Sequence, residues 1–180
     1  MMITLVLALA LTADAQGNVD ISEQQLTQYV NGKVKYEQDY ALPGLFDAHV
    51  KLTRMQVELA RSAPKQADVQ GFGQFTLTLP DKPAMDGTIT ANFTALPRYA
   101  PAEGAVYFDQ FTLKNYVLEP AALNQQFGPM MGYLLKGIEQ RLAKQPAYRL
   151  DAKNADQAWL KSHVTSVELQ PGVLRLKTRS

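Results

Sequence analysis

The chain has no cysteine among its 180 residues. That excludes disulfides, thiolate metal ligands and a cysteine nucleophile, and it leaves no thiol to carry a lipid anchor. No charge sign dominates, since 18 lysines and arginines face 17 acidic residues. Such a balance creates no long-range field to draw in nucleic acid or an anionic membrane surface. Histidine occurs twice, at His49 and His163, without the i, i+4 helical spacing of a zinc site. No metal and no other cofactor is therefore expected. Long hydrophobic runs are scarce as well. Ile3–Leu11 is too short to span a bilayer but has the length of a secretory signal core, and Ala13-Asp14-Ala15 follows it as a small-x-small cleavage site. Removal of residues 1–15 is expected, leaving one domain over 16–180, although no basic residue precedes Lys33. The competing reading of the run is a buried amino-terminal strand.

What the chain does have is alternation. A capping box of Ser22 and Gln25 opens a short helix with apolar residues at Leu26, Tyr29 and Val30, closed near Asn31-Gly32. Leu42-Pro43-Gly44 marks a turn. From there Ala48, Val50 and Leu52 alternate against Asp47, His49 and Lys51, and the apolar parity then moves to Met55, Val57 and Leu59, which predicts a bulge near Thr53-Arg54. Val69, Gly71, Gly73, Phe75, Leu77 and Leu79 form the next apolar row. Met85, Gly87, Ile89, Ala91, Phe93 and Ala95 form another, each opposed by threonine-rich polar residues. A fourth strand over about 105–118 shifts from Val106 and Phe108 to Phe111, Leu113 and Val117. Short links between such strands imply an antiparallel meander.

Leu123, Phe127, Met131, Leu134, Ile138 and Leu142 then share one face of a long helix, interrupted by Gly128, Pro129, Gly132 and Gly137. A short helix near 155–161 and a hairpin turned by Pro171-Gly172 complete the chain. The expected fold is α+β: a highly curved antiparallel sheet of about four long strands plus a carboxyl-terminal hairpin, wrapping one long helix, with a short amino-terminal helix.

Catalytic chemistry finds no foothold in this pattern. His49 lies on the polar face of a strand, where alternating polar residues are the rule. His163 and Ser162 are adjacent, and adjacency alone makes no Ser–His pair. Gly71-Phe72-Gly73 sits inside a strand and lacks the helix that a phosphate loop needs. We therefore expect no enzyme. The small inward residues Gly71, Gly73, Gly87, Ala91 and Ala95 suggest space opposite the long helix, and Met130-Met131 supply adaptable surface.

Leu42-Pro43-Gly44, Asp47-Ala48-His49, Ala95-Leu96-Pro97 and Gln145-Pro146-Ala147-Tyr148 occur in an order and spacing that resemble the YceB-like lipoproteins of Gram-negative bacteria. The resemblance spans about residues 21–176. It implies a tubular lipid-binding type of fold, in which a curved sheet encloses acyl chains around a helix, and no enzymatic activity. Family members resemble lipoproteins anchored through a cysteine just after the signal, and this sequence has none, so the expectation is a soluble periplasmic protein without that anchor, or a chain whose true amino terminus lies elsewhere. The expected partner is a lipid or other apolar small molecule, held by Phe75, Leu77, Ile89, Phe93, Phe127, Met131, Leu134 and Ile138. Peripheral membrane association fits this reading, nucleic acid does not, and no protein partner is indicated. The alternative is an envelope interaction module with a solid core, because a short helix followed by a meander is also similar to cystatin-like scaffolds.

Overall fold

Period-two alternation places every second side chain of a strand on one face, so a chain rich in such segments buries one side of a sheet. The computed structural model describes residues 12–13, 17–33 and 36–179. Its elements are β1 (Thr12–Ala13), β2 (Val19–Ser22), α1 (Glu23–Lys33), β3 (Tyr36–Leu42), β4 (Phe46–Leu59), β5 (Ala67–Thr78), β6 (Met85–Ala100) and β7 (Ala105–Glu119). These are followed by α2 (Leu123–Ala143), β8 (Pro146–Arg149), α3 (Ala155–His163), β9 (Val164–Gln170) and β10 (Val173–Thr178). Strands β3 to β8 form one six-stranded sheet in chain order, and a second sheet runs β1-β2-β10-β9. All pairings are antiparallel. The expected signal segment lies outside the described residues except for Thr12 and Ala13, which pair with Asp20 and Val19.

The α+β class and the curled antiparallel sheet are as the alternation implies, but the strand count is corrected. The large sheet has six strands, and the hairpin β9–β10 belongs to the other sheet with β2. The reasons are local. Strand β3 has a neighbour on one side only, and it carries exposed Glu37, Gln38 and Asp39, which blur the apolar alternation. Strands β2 and β8 have four residues each, too few for a period to show. The three helices fall where the sequence places them, α1 and α3 short and α2 long.

Besides a shift between Val106 and Tyr107 where β7 meets β8, three register shifts bend the sheet. One lies between Leu52 and Arg54, where the parity change predicts it. Two lie on β7, at Gln110, whose φ is +53°, and at Lys114. The last of these restores the other parity, so Leu118 is buried and Val117, expected inside, is 55% exposed. An extra residue in one strand kinks it and strengthens the local twist, which turns a flat meander into a curl.

Helix α1 closes that curl. Its capping box is formed, with the Ser22 amide donating to Gln25 Oε1 at 2.9 Å and the Gln25 amide donating to Ser22 Oγ at 3.1 Å. Beyond Leu52 strand β4 has no β3 partner, and its outer edge would expose unpaired amides. Three α1 side chains at successive i, i+4 positions satisfy them. Asn31 Oδ1 accepts from the Met55 amide at 2.8 Å, Thr27 Oγ1 from Val57 at 3.0 Å, and Glu23 Oε2 from Leu59 at 3.1 Å. Asn31 Nδ2 also donates to the Met55 carbonyl at 2.8 Å. On its other side α1 reaches β8, where the rings of Tyr29 and Tyr148 are 4.9 Å apart. The helix thus spans the two ends of the sheet.

Asn31→Ala removes both bonds to Met55 and leaves its N–H and C=O unpaired. The expected loss is about 1–3 kcal/mol, read as a lower thermal midpoint with the far-ultraviolet spectrum retained.

Candidate functional site

The concave face of the sheet and the apolar stripe of α2 meet in one interior. Phe75, Leu77, Ile89, Phe93, Phe127, Met131, Leu134 and Ile138 all lie there, none more than 5% exposed, within a single apolar cluster. Leu135 joins the α2 stripe. Apart from tyrosine hydroxyls, Thr94 is the sole buried polar residue among the described ones. The long helix packs on β7 and runs helical through Pro129 without a side-chain cap at its start.

Two of the small residues of the inward rows, Gly87 and Gly73, are not vacancies. A Cβ on Gly87 would lie 2.7 Å from the Phe75 ring, 2.8 Å from Leu123 and 2.8 Å from the Glu119 carbonyl oxygen. On Gly73 it would meet the Lys51 carbonyl oxygen at 3.0 Å and Leu52 at 3.1 Å. Each glycine is a seat for a neighbour's large side chain, which corrects the expectation of space opposite α2 at these two positions.

Near the β3–β4 and β5–β6 turns the interior approaches the surface. The rings of Phe46 and Tyr133 meet edge to face at 6.0 Å, and a Cβ on Gly137 of α2 would lie 2.4 Å from the Tyr40 ring. Tyr40 and Tyr36 join through their hydroxyls, and burial raises both phenols above the ordinary value. Outside Phe46 lies a groove of about 430 Å³ between the two turns, lined by Leu42, Pro43, Leu45, Leu79 and Pro80, with Asp47, Asp81 and Lys82 at its rim. Leu45 and Tyr133 are both more than half exposed. In the sequence Leu79 stands in an apolar row and Leu42-Pro43-Gly44 in a turn and a family motif, but Leu45, Phe46 and Tyr133 do not stand out. An apolar residue held in a turn was the available signal.

The titratable groups lie elsewhere. His49 faces outward, with Nδ1 2.6 Å from Asp39 Oδ1 and Nε2 3.0 Å from Glu37 Oε1. Both carboxylates come from β3, the strand whose pattern was not legible, rather than from Asp47. With an acceptor on each ring nitrogen the imidazolium is favoured, which raises the His49 pKa, through Asp39 first and Glu37 second. Ser162 Oγ and His163 Nδ1 are 2.8 Å apart, so the two adjacent residues do meet. Both bond the Trp159 carbonyl, at 2.8 Å each, which makes them a cap on the last turn of α3. Among the described residues no group of three His, Asp or Glu side chains is placed to hold a metal ion, and no helix is long and apolar enough to cross a membrane.

Comparison with known proteins adds the following. The sequence profile of a family described as "Protein of unknown function (DUF1439)" matches residues 21–173. "Uncharacterized lipoprotein YceB" of Salmonella typhimurium is 24% identical over 153 residues, which cover 84% of this chain and 82% of that one. Its namesake in Escherichia coli is 23% identical over the same length and coverage. Among solved structures, "Crystal structure of lipopolysaccharide binding protein" aligns with a TM-score of 0.34 and 11% identity over 89% of this chain and 48% of that one. This chain thus spans about half of that structure, and a likeness so low carries no argument.

The outward cluster makes one clear prediction. In an NMR titration the His49 midpoint lies above the ordinary value of about 6.5, and Asp39→Asn with Glu37→Gln returns it there. A raised folded pKa contributes stability below the unfolded value and loses it as pH rises through the folded value, so the parent's advantage over the double variant shrinks in that window.

Proposed function

We propose that this chain, which belongs to the YceB-like family DUF1439, is a non-catalytic protein of the cell envelope that takes a lipid or other apolar molecule between its curved sheet and α2. The observation that carries this reading is the continuity of apolar surface. It runs from the concave rows of β5 and β6, across the α2 stripe, to Phe46 and the exposed Leu45 and Tyr133. An acyl chain entering at that end meets no buried charged group among the described residues.

The interior is packed, so entry requires α2 to move. Three glycines cost about 1 kcal/mol each relative to alanine and Pro129 about 3 kcal/mol, which makes this helix dependent on its packing. An apolar ligand substitutes for that packing, and Met130 and Met131 adapt to irregular shapes. Export suits the reading: residues 1–15 have the pattern of a signal, and the relatives carry the name lipoprotein. The periplasm is the compartment we assign. The second reading is a solid-core interaction module, favoured by the close filling above Gly87 and Gly73.

Native mass spectrometry of protein purified from a bacterial periplasm without detergent, with lipid extraction, separates the two. The expected result is a stoichiometric lipid, or its uptake from mixed phospholipids and fatty acids. An apo mass that stays unchanged after such incubation overturns the carrier reading.

Met131→Trp supplies a second arm. Because Met131 is packed at 3% exposure, the added volume costs about 1–3 kcal/mol in either reading, a fall of roughly 2–4 °C for each of those kcal/mol. The readout that separates them is uptake, which the variant abolishes in a carrier and which a solid-core module shows in neither parent nor variant.

A further inference from the structure

Strand β3 ends its sheet, with β4 on one side and no described strand on the other, so no ladder of backbone bonds joins it to α2. Side chains close the gap. Tyr133, Gly137 and Arg141 follow one another at i, i+4 on α2 and share a face. Phe46 meets Tyr133 edge to face, the Tyr40 ring lies where a Cβ on Gly137 would stand, and Tyr36 reaches Tyr40 through the two hydroxyls. Arg141, one turn beyond Gly137, is exposed. Burial raises both phenols and the Arg141 charge opposes that shift on each, so the guanidinium lies within electrostatic reach of both. Donors outnumber acceptors along this seam. The bond between the hydroxyls uses one of their two protons, and among the described residues the other has no acceptor. The Arg141 side chain has no ion-pair partner among them either.

We propose that Arg141, with Tyr36 and Tyr40, receives the anionic head of the ligand, a carboxylate or a phosphate, while its acyl chain lies in the apolar interior. This rests on the carrier reading above and narrows it to amphipathic acids. An ionised carboxylate or phosphate offers acceptors only, which matches a group that offers donors only. The carboxylates of the neighbouring segments do not compete. Glu37 and Asp39 hold His49 on the outer face of the sheet, and Glu139 is about 200° round α2 from Arg141. The last-turn carbonyls of Arg141 and Leu142 are taken by the Lys144 and Gln145 amides. A basic residue in a last turn also complements the helix dipole, which accounts for Arg141 but not for two phenols joined beside it. The chain is part of the match. Tyr36 is 4% exposed and belongs to the apolar cluster, whereas Arg141 faces water, so a head held at the surface continues directly into carbon. An anion without a chain gains only the attraction of an exposed guanidinium, which is small in water.

Laurate, dodecyl phosphate and dodecanol share one chain length and differ only in the head, and inorganic phosphate serves as the control without a chain. Each is titrated into the full chain below its aggregation concentration, with affinity read by calorimetry and stoichiometry by native mass spectrometry. The expected result is that at least one of the two anions binds about tenfold or more tighter than dodecanol, and that inorganic phosphate gives no measurable heat. Whichever anion leads identifies the head as carboxylate or phosphate. Arg141→Gln should weaken that anion about tenfold, and Tyr36→Phe with Tyr40→Phe about fivefold, with the affinity for dodecanol unchanged. Dodecanol binding as tightly as both anions, or a loss on Arg141→Gln shared equally by all three probes, overturns the proposal and leaves the carrier reading standing. Inorganic phosphate as tight as dodecyl phosphate overturns it as well. No binding of any chain overturns both readings together. The parent's preference among heads is read without a variant, so it decides the matter even where a substitution prevents folding.

Discussion

A strand that loses its neighbour halfway along must find other partners for its amides, and in this protein that requirement falls on β4. Its first half is covered by β3 and its second half by the side chains of Glu23, Thr27 and Asn31. The fit follows from two periods. Every second residue of a strand turns its N–H to the same edge, a rise of roughly 6.6 Å, and every fourth residue of a helix returns to the same face after about 6 Å. The two repeats nearly match, so one helix face can line one strand edge over three steps. The same helix buries Leu26 and Val30 and touches β8 through Tyr29, so pairing the edge also sets how far the sheet closes. Near Leu59 the seam extends to the second sheet, because Gly172 of the β9–β10 turn donates to the Leu59 carbonyl at 2.8 Å and accepts from the Glu23 amide at 3.0 Å. Glu23 pairs with Arg61 as well, which holds its carboxyl below the usual range. The seam is therefore polar at its rim and apolar beneath.

Legibility in the sequence followed burial. Strands β5 and β6 alternate cleanly because each has a neighbour on both sides and one face in the core, and the α2 stripe reads well for the same reason. The capping box of α1 was visible because it is local. What the helix does with Thr27 and Asn31 was not, since a polar residue's partner thirty positions away leaves no trace in spacing. Strand β3 hid because an edge strand carries charge on its open side, and with it went the carboxylates of His49. The parity of β7 was half legible: one bulge could be inferred from Phe108 and Phe111, while the second, at Lys114, lay among residues whose side chains suit either face. Val117 was misplaced by that one residue.

The inward glycines teach a different point. A row of small residues looks like empty volume when only one strand is considered, yet volume in a close-packed interior belongs to whichever neighbour reaches it. Gly87 gives its volume to Phe75 and Leu123, and the second of these opens α2. The glycine therefore positions the start of the long helix against the end of β7 rather than reserving room for a guest.

Packing and ligand entry are compatible if the ligand takes the place of packed side chains instead of filling a hole. Seven α2 side chains are buried, and exposing each to water costs about 1.5–3 kcal/mol, on the order of 10–20 kcal/mol together. That equals or exceeds the whole stability of an ordinary domain, about 5–15 kcal/mol, so neither water nor a polar molecule can part α2 from the sheet. An apolar chain changes the sum, because the surface of Phe75 or Phe93 that α2 uncovers is covered again by carbon of the same kind. The residual cost is then the displacement of a helix that, with its three glycines and Pro129, has little conformational preference of its own to lose. On the proposed carrier reading, the chemistry of the interior would restrict the guest to apolar molecules, and the composition of α2 would make that helix the element that yields.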